Sequence, residues 1–266
     1  MMKMTKMRFN RFNKDDDRDY RGYDYGEGVA PGYVEVWGLG TVKSTDIKNQ
    51  RFEPAEIEDD PEWIQYTVGL DVASHGRDRT ALCVAAITYD RRDEPHAEIK
   101  YLKRLRHGIL FGETSSQVKR IVETLKRDGE KKGLKVDLTI LTDATGVGEG
   151  VAQGLAEAMP LEDCRSVYLT SGGYGYRTQE SSVFVSKGHM VALIIGAIER
   201  GHIHFPKKLK ELDAMKEEMA AYGEKISEAT GNSSYGAIST GSRDDEITAI
   251  GLSLIGAQIC KPCRLY

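Results

Sequence analysis

Three acidic positions in this chain share one habit: each stands where an apolar segment stops. Asp71 closes "YTVGLDV", Asp143 closes "DLTILTDA", and Asp244 and Asp245 open "DDEITAIGLSLIGAQIC". A carboxylate at the edge of a buried strand is costly unless something compensates it. Several of them converging on one cleft would raise one another's pKa. Divalent cations relieve that repulsion, and an all-oxygen donor set suits Mg2+ or Mn2+. Two such ions about 4 Å apart can clamp the attacking and leaving oxygens of an in-line phosphodiester displacement. Taken singly, each residue has an ordinary use. Asp71 could cap a turn, Asp143 could make an Asx-turn before a glycine loop, and Asp244 or Asp245 could cap a helix. Their shared placement at the ends of successive elements favours one site. Asp78 lies across the turn "ASHGRDRT" and is a further candidate ligand or supporting residue.

Positioning these residues requires a regular scaffold, and the sequence from Tyr66 onward supplies one. "YTVGLDV" and "TALCVAAITY" are apolar runs joined by a tight turn, so they predict an antiparallel hairpin. "AEIKYLKRLR" alternates and predicts a third strand. "TSSQVKRIVETLKRDGEKKG" has apolar residues at helical spacing, begins with Thr and Ser, and ends in Lys and Gly. A fourth strand ends at Asp143. "GVGEGVAQGLAEAMP" then predicts a helix closed by Pro160, and "SVYLT" a fifth strand. "VSKGHMVALIIGAIERG" and "DDEITAIGLSLIGAQIC" are apolar helices, and "KKLKELDAMKEEMAAYG" is a charged one. "KISEATGNSSYGAIST" predicts a polar hairpin or loop. The expected fold class is α/β: a mixed sheet of about five strands with helices on both faces. Residues 1–62 differ: they are rich in Asp, Arg, Tyr and Gly, with one strand expected at "YVEVWGL". The expected division is a linker or arm over 1–62 and a globular domain over 63–266.

The order strand-Asp, hairpin, third strand, helix, strand-Asp, and a late Asp-Asp helix resembles the nuclease domain of the large terminase subunit of tailed bacteriophages. That domain is RNase H-like. "GLDVASHGRDRTALCV", "TDATGVGEGVAQGL" and "DDEITAIGLSLIGA" carry the resemblance, and "VSKGHMVALIIGAIERGHIHFP" adds a lysine-led helix and a short strand. The resemblance covers about Tyr66 to Ala257. It implies an RNase H-like mixed β-sheet flanked by helices, and a two-metal endonuclease that cleaves double-stranded DNA concatemers during viral genome packaging. Asp71 would be the central ligand, with Asp143 on one ion and Asp245 on the other. Asp245 matches the family position better than Asp244, and successive helical residues point about 100° apart, so both need not reach the site. Thr248 would line the site one turn further on. Lys187 would approach DNA phosphates or the active site. Arg243 stands where the family often has a histidine. The implied partners are double-stranded DNA, the small terminase subunit, the portal protein and an ATPase domain. The implied setting is the host cell cytoplasm and, transiently, the procapsid.

Other signals bound the reading. No GxxxxGK[ST] phosphate loop occurs in the chain, so the expectation is a nuclease domain without its motor, monomeric by itself, with residues 1–62 as linker. A formal net charge of -4 over 266 residues carries no global nucleic-acid signature, so DNA contacts must be local. The local candidates are Lys187, Arg177 in "TSGGYGYRTQ", and Lys207 and Lys208 in "PKKLK". "GVGEGV" fails the GxGxxG pattern because Val151 occupies the last glycine position, which argues against dinucleotide binding. One CxxC, Cys260 and Cys263, has no second pair and does not make a zinc site. No apolar run is long enough for a membrane span. Two alternatives stay open: a Holliday-junction resolvase-like nuclease of the same fold, and a non-catalytic DNA-binding remnant. The actin-like ATPase fold would need a duplicated domain, which the chain lacks.

Overall fold

The computed structural model describes residues 4–6, 33–36, 40–43, 63–73, 79–90, 94–171, 175–226, 233–237 and 243–260. Asp78, His75 and the first residues of "GNSSYG" lie outside them. The elements of the main body begin with three strands, β4 (Trp63–Asp71), β5 (Ala81–Tyr89) and β6 (Pro95–Arg104), followed by helix α1 (Phe111–Lys131). Strand β7 (Lys135–Asp143), helix α2 (Gly148–Ala158) and strands β8 (Asp163–Thr170), β9 (Tyr176–Gln179) and β10 (Ser182–Ser186) come next. Helix α3 (Lys187–Glu199), strand β11 (Ile203–His204), helix α4 (Leu212–Ala221), a hairpin of β12 (Tyr222–Ile226) and β13 (Ser233–Ala237), and helix α5 (Asp245–Ile259) complete it. Ahead of them, β2 (Tyr33–Val36) pairs with β3 (Gly40–Lys43), and β1 (Met4–Lys6) runs antiparallel to β12.

Eight strands form one sheet in the order β11-β6-β5-β4-β7-β8-β10-β9. Its middle repeats the expected connectivity. β4, β5 and β6 pair antiparallel, while β7 and β8 are added parallel to β4 on its other side. This is the RNase H-like arrangement. The sheet has eight strands rather than the expected five: β10, whose Val185 and Ser186 fall in the stretch expected to begin the apolar helix, is additional, and so are the two strands at the margins. β9 is exposed at all four positions and β11 has two residues, so neither produces an apolar alternation. The segment "TSGGYGYRTQ" is therefore part strand and not only a loop.

Strand alternation sorts the two faces. Tyr66, Val68, Leu70, Leu82, Val84, Leu138 and Ile140 pack with Val118 and Val122 of α1 and Val151 and Leu155 of α2. The other face meets α3, α4 and α5. Helix α1 starts at Phe111, before the Thr and Ser expected to cap it. Buried Thr114 instead sits in the first turn, its hydroxyl donating to the Leu110 carbonyl at 3.3 Å. Helix α5 is buried from Asp245 to Ala257, as an all-round apolar helix must be.

Glycines set how closely α5 approaches. A Cβ on Gly69 would lie 2.0 Å from the Ala249 carbonyl oxygen and 2.8 Å from the Ser253 nitrogen. One on Gly256 would lie 2.5 Å from Leu141 Cδ1. Helix and strand thus meet backbone to backbone beside Asp71. A residue with a side chain at position 69 must push the helix away. Gly69→Ala should destabilise the protein by about 1–3 kcal/mol through overpacking. Gly154→Ala, where a Cβ meets nothing within 4 Å, should stabilise it by about 0.4–1 kcal/mol. Urea denaturation of the two variants checks this, and equal midpoints would contradict the close-packing account.

Candidate functional site

β4 and β7 run parallel as neighbours, with Leu70 opposite Thr142. One residue on, Asp71 and Asp143 therefore end adjacent strands at the same level. Both project to the α5 face, because Leu70 and Ile140 belong to the opposite one. Asp245 is the first residue of α5 and is buried. Asp244 precedes it at the N-cap position without capping through its side chain. Parallel strands hand over to helices at this edge, β7 to α2 and β10 to α3. Gly148 makes the first handover tight: a Cβ there would sit 1.7 Å from the Asp143 carbonyl oxygen. The Gly-x-Gly stretch therefore has a packing role.

The electrostatics join these residues into one site. Burial pushes the Asp71 carboxyl well above its ordinary value, and the charges of Asp143, Asp245 and Asp244 push it further. Lys187, first residue of α3, opposes this. Burial also raises Asp143, opposed by hydrogen bonds from Thr145 and again by Lys187. Thus Asp71, Asp143, Asp244, Asp245 and Lys187 share one field, although they come from four different elements and one cap. The remaining candidates stand apart. Arg177 lies on β9, its guanidinium 4.4 Å above the Phe184 ring. Phe184 alternates with Val183 and Val185, which face α3 and α5, so Arg177 sits on the sheet face opposite the carboxylates. Lys207 and Lys208 are exposed between β11 and α4, three strands from Asp71. Thr248 is buried one turn into α5.

The donor chemistry fits Mg2+ or Mn2+: carboxylate oxygens only, concentrating negative charge. The side chains are not closed around a centre, however. Among the described residues, no group of three or more His, Cys, Asp or Glu could hold an ion as placed. Asp143 Oδ1 accepts from the Thr145 N–H at 2.8 Å, and Asp245 Oδ2 accepts from the Arg79 N–H at 3.2 Å.

Sequence reasoning missed a cluster behind Asp245. Arg104 Nη1 lies 3.3 Å from Glu218 Oε1, and Arg104 Nε lies 3.3 Å from Glu246 Oε1. Both carboxylates are buried. Burial raises Glu218 from 4.5 to about 7 and Glu246 from 4.5 to about 8. The one legible sign was Glu218 itself, which falls on the buried stripe with Met215 and Met219. Tyr222 is a second omission. Its buried hydroxyl has no hydrogen-bond partner among the described residues, and burial followed by the charges of Asp244 and Asp71 raises its pKa.

No family model matches the sequence, and no curated protein matches it. Among solved structures, the human cytomegalovirus terminase nuclease domain is similar at 9% identity and a TM-score of 0.45, over 83% of this chain and 95% of that one. The same domain soaked with Mn gives 8% and 0.43, over 84% and 97%. With an inhibitor also bound it gives 8% and 0.43, over 81% and 94%. Strand order and direction carry the fold independently of this likeness.

The raised glutamates have a consequence for stability. A carboxyl whose folded pKa exceeds its unfolded value binds its proton more tightly in the native state. The stability this contributes is complete below about pH 4.5 and is lost as pH rises through about 7 and about 8. In chelator, Tm should therefore fall across that window, and Glu246→Gln should fall less steeply. Scanning calorimetry over pH tests this, and identical slopes for the two proteins would rule it out.

Proposed function

We propose that the chain is a divalent-metal-dependent endonuclease that cleaves double-stranded DNA during viral genome packaging, as the nuclease part of a large terminase subunit. The observation that carries this reading is the convergence of Asp71, Asp143 and Asp245 at the carboxyl edge of an RNase H-like sheet, in one electrostatic field with Lys187. Asp71 is central because both its neighbouring strand and the covering helix bring a carboxylate to it. On this reading Asp71 would help to hold two ions, one together with Asp143 and the other with Asp245. Asp244, and Asp78 across the hairpin turn, are additional ligand candidates. Divalent ions, when bound, supply a nucleophile at neutral pH and stabilise the leaving 3′ oxygen.

The chain's own residues do the rest. Asp143 and Asp245 are oriented by backbone N–H groups, so their remaining lone pairs have defined directions. Lys187, whose charge acts on both Asp71 and Asp143, would offset charge on the scissile phosphate. Lys207 and Lys208 contact phosphates further along the duplex, and Arg177 serves strands that pass the other sheet face. Such contacts position DNA without reading its sequence. The partners on this reading are the small terminase subunit, the portal protein and an ATPase domain, met in the host cytoplasm at the procapsid.

Supercoiled plasmid incubated with the purified chain should be nicked and degraded in Mn2+ or Mg2+ and left intact in EDTA. Asp71→Ala, Asp143→Ala and Asp245→Ala should each slow cleavage at least about a hundredfold, the scale of losing one preorganised electrostatic group. Circular dichroism should show the fold retained. Wild-type rates in all three variants would place the activity elsewhere, and a strong preference for branched over linear DNA would favour a junction resolvase.

A further inference from the structure

We propose that Glu218, held by Arg104, is a positioning residue that sets where Asp245 presents its carboxylate; this rests on the metal-nuclease reading above. The first turn of a helix has backbone N–H groups with no partner inside the helix. An N-cap side chain ordinarily accepts one of them. In α5 that does not happen. Asp244 occupies the N-cap, but its side chain makes no capping bond, and its Oδ2 lies 3.3 Å from where a Cβ on Gly236 would stand. Asp244 is thus turned toward the β12–β13 hairpin.

The acceptor comes from another helix. Glu218 Oε2, on α4, accepts from the Glu246 N–H at 2.9 Å. That N–H belongs to the peptide joining Asp245 to Glu246, so the bond fixes the plane from which the Asp245 side chain departs. Glu218 Oε1 is held in turn by Arg104 Nη1 at 3.3 Å, and Arg104 Nε reaches Glu246 Oε1 at 3.3 Å. Arg104 ends β6 opposite Ala81, and Ala81 lies opposite Asp71. One cross-strand row therefore contains Asp71 and the arginine that anchors the start of α5. Small, fully buried Ala81 between them leaves room for the first turn of the helix above the row. Glu218 is only 5% exposed, so water does not compete strongly for its oxygens. The clamp references the helix start to the same strands that carry Asp71.

A residue that orients a ligand from outside typically changes metal affinity about 10–100-fold when lost. Two variants separate positioning from charge. Glu218→Gln and Glu218→Met remove the same charge at similar length, but only Gln keeps an oxygen that can accept from the Glu246 N–H. Mn2+ binding to the full chain is measured by the loss of the free-ion EPR signal, and plasmid cleavage by its Mn2+ dependence. Glu218→Met should weaken Mn2+ binding and shift the cleavage midpoint by about tenfold or more, while Glu218→Gln stays within about threefold of wild type. Should Glu218→Met not fold, Glu218→Asp takes its place; it withdraws the acceptor by one methylene and should behave as Met. Equal Mn2+ affinity in the Gln and Met (or Asp) variants would overturn the proposal. Asp245→Ala is the control for the underlying reading. If it binds Mn2+ like wild type, the metal site is wrong; if it loses Mn2+ while the Glu218 variants all keep it, only the positioning role is wrong.

Discussion

The seating of helix α5 on strand β4 is the contact on which the rest depends. Gly69 carries no side chain, so the Ala249 carbonyl and the Ser253 nitrogen come down onto the strand backbone. Gly251 admits the Met190 side chain and Gly256 admits Leu141 in the same way. These approaches lower an apolar helix onto the middle of the sheet, where burial of apolar surface supplies the largest stabilising term. The same approach brings a helix N-terminus down to the level of a strand C-terminus. Asp245 enters the electrostatic field of Asp71 because helix and strand touch along their backbones.

This placement concentrates negative charge, and the protein only partly offsets it. Lys187 acts on Asp71 and Asp143. Arg104 is shared by two buried glutamates. One guanidinium cannot neutralise two carboxylates, so burial raises the pKa of both. The packing of α5 must therefore carry an unfavourable electrostatic load at its own first turn. Concentrated like charge on a well-packed scaffold is the usual condition of a functional site.

Much of this was legible in the sequence, and what was not has physical causes. The central strands and the apolar helices show through their periodicity, and Asp71, Asp143 and Asp245 stand at the ends of those runs, in one electrostatic field. The margins of the sheet did not show. β9 has no buried position to mark it and β11 is two residues long. The pairing of Glu218 with Arg104 was hidden for another reason, although the spacing of Glu218 with Met215 and Met219 was a sign. A glutamate in "KEEMAAYG" also reads as one of several solvated charges, and tertiary packing decides that it faces inward with Met215 and Met219. Arg104 ends a strand whose alternation says nothing about a partner more than a hundred residues away. Lys187, by contrast, stood out as the first residue of an apolar helix, and the structure brings it to the carboxylates.

On the proposed reading, the ordinary and the chemical uses of these aspartates are not alternatives. Asp143 does make the turn that a strand-end aspartate makes, accepting from the Thr145 N–H. Asp245 does meet a backbone donor near a helix start, but the donor is Arg79, at the far end of the turn that follows Asp71. An ionised carboxylate offers about four lone-pair positions, so one such bond orients it without exhausting it. The bond from Arg79 also ties the entry to β5 to the start of α5. A side chain that only capped a helix would have no reason to cross to the hairpin, and a ligand with no structural bond would have no fixed direction. On the proposed reading, the turn at Asp143, the bond from Arg79 and the Glu218 clamp would give the carboxylates of Asp143 and Asp245 fixed directions beside Asp71.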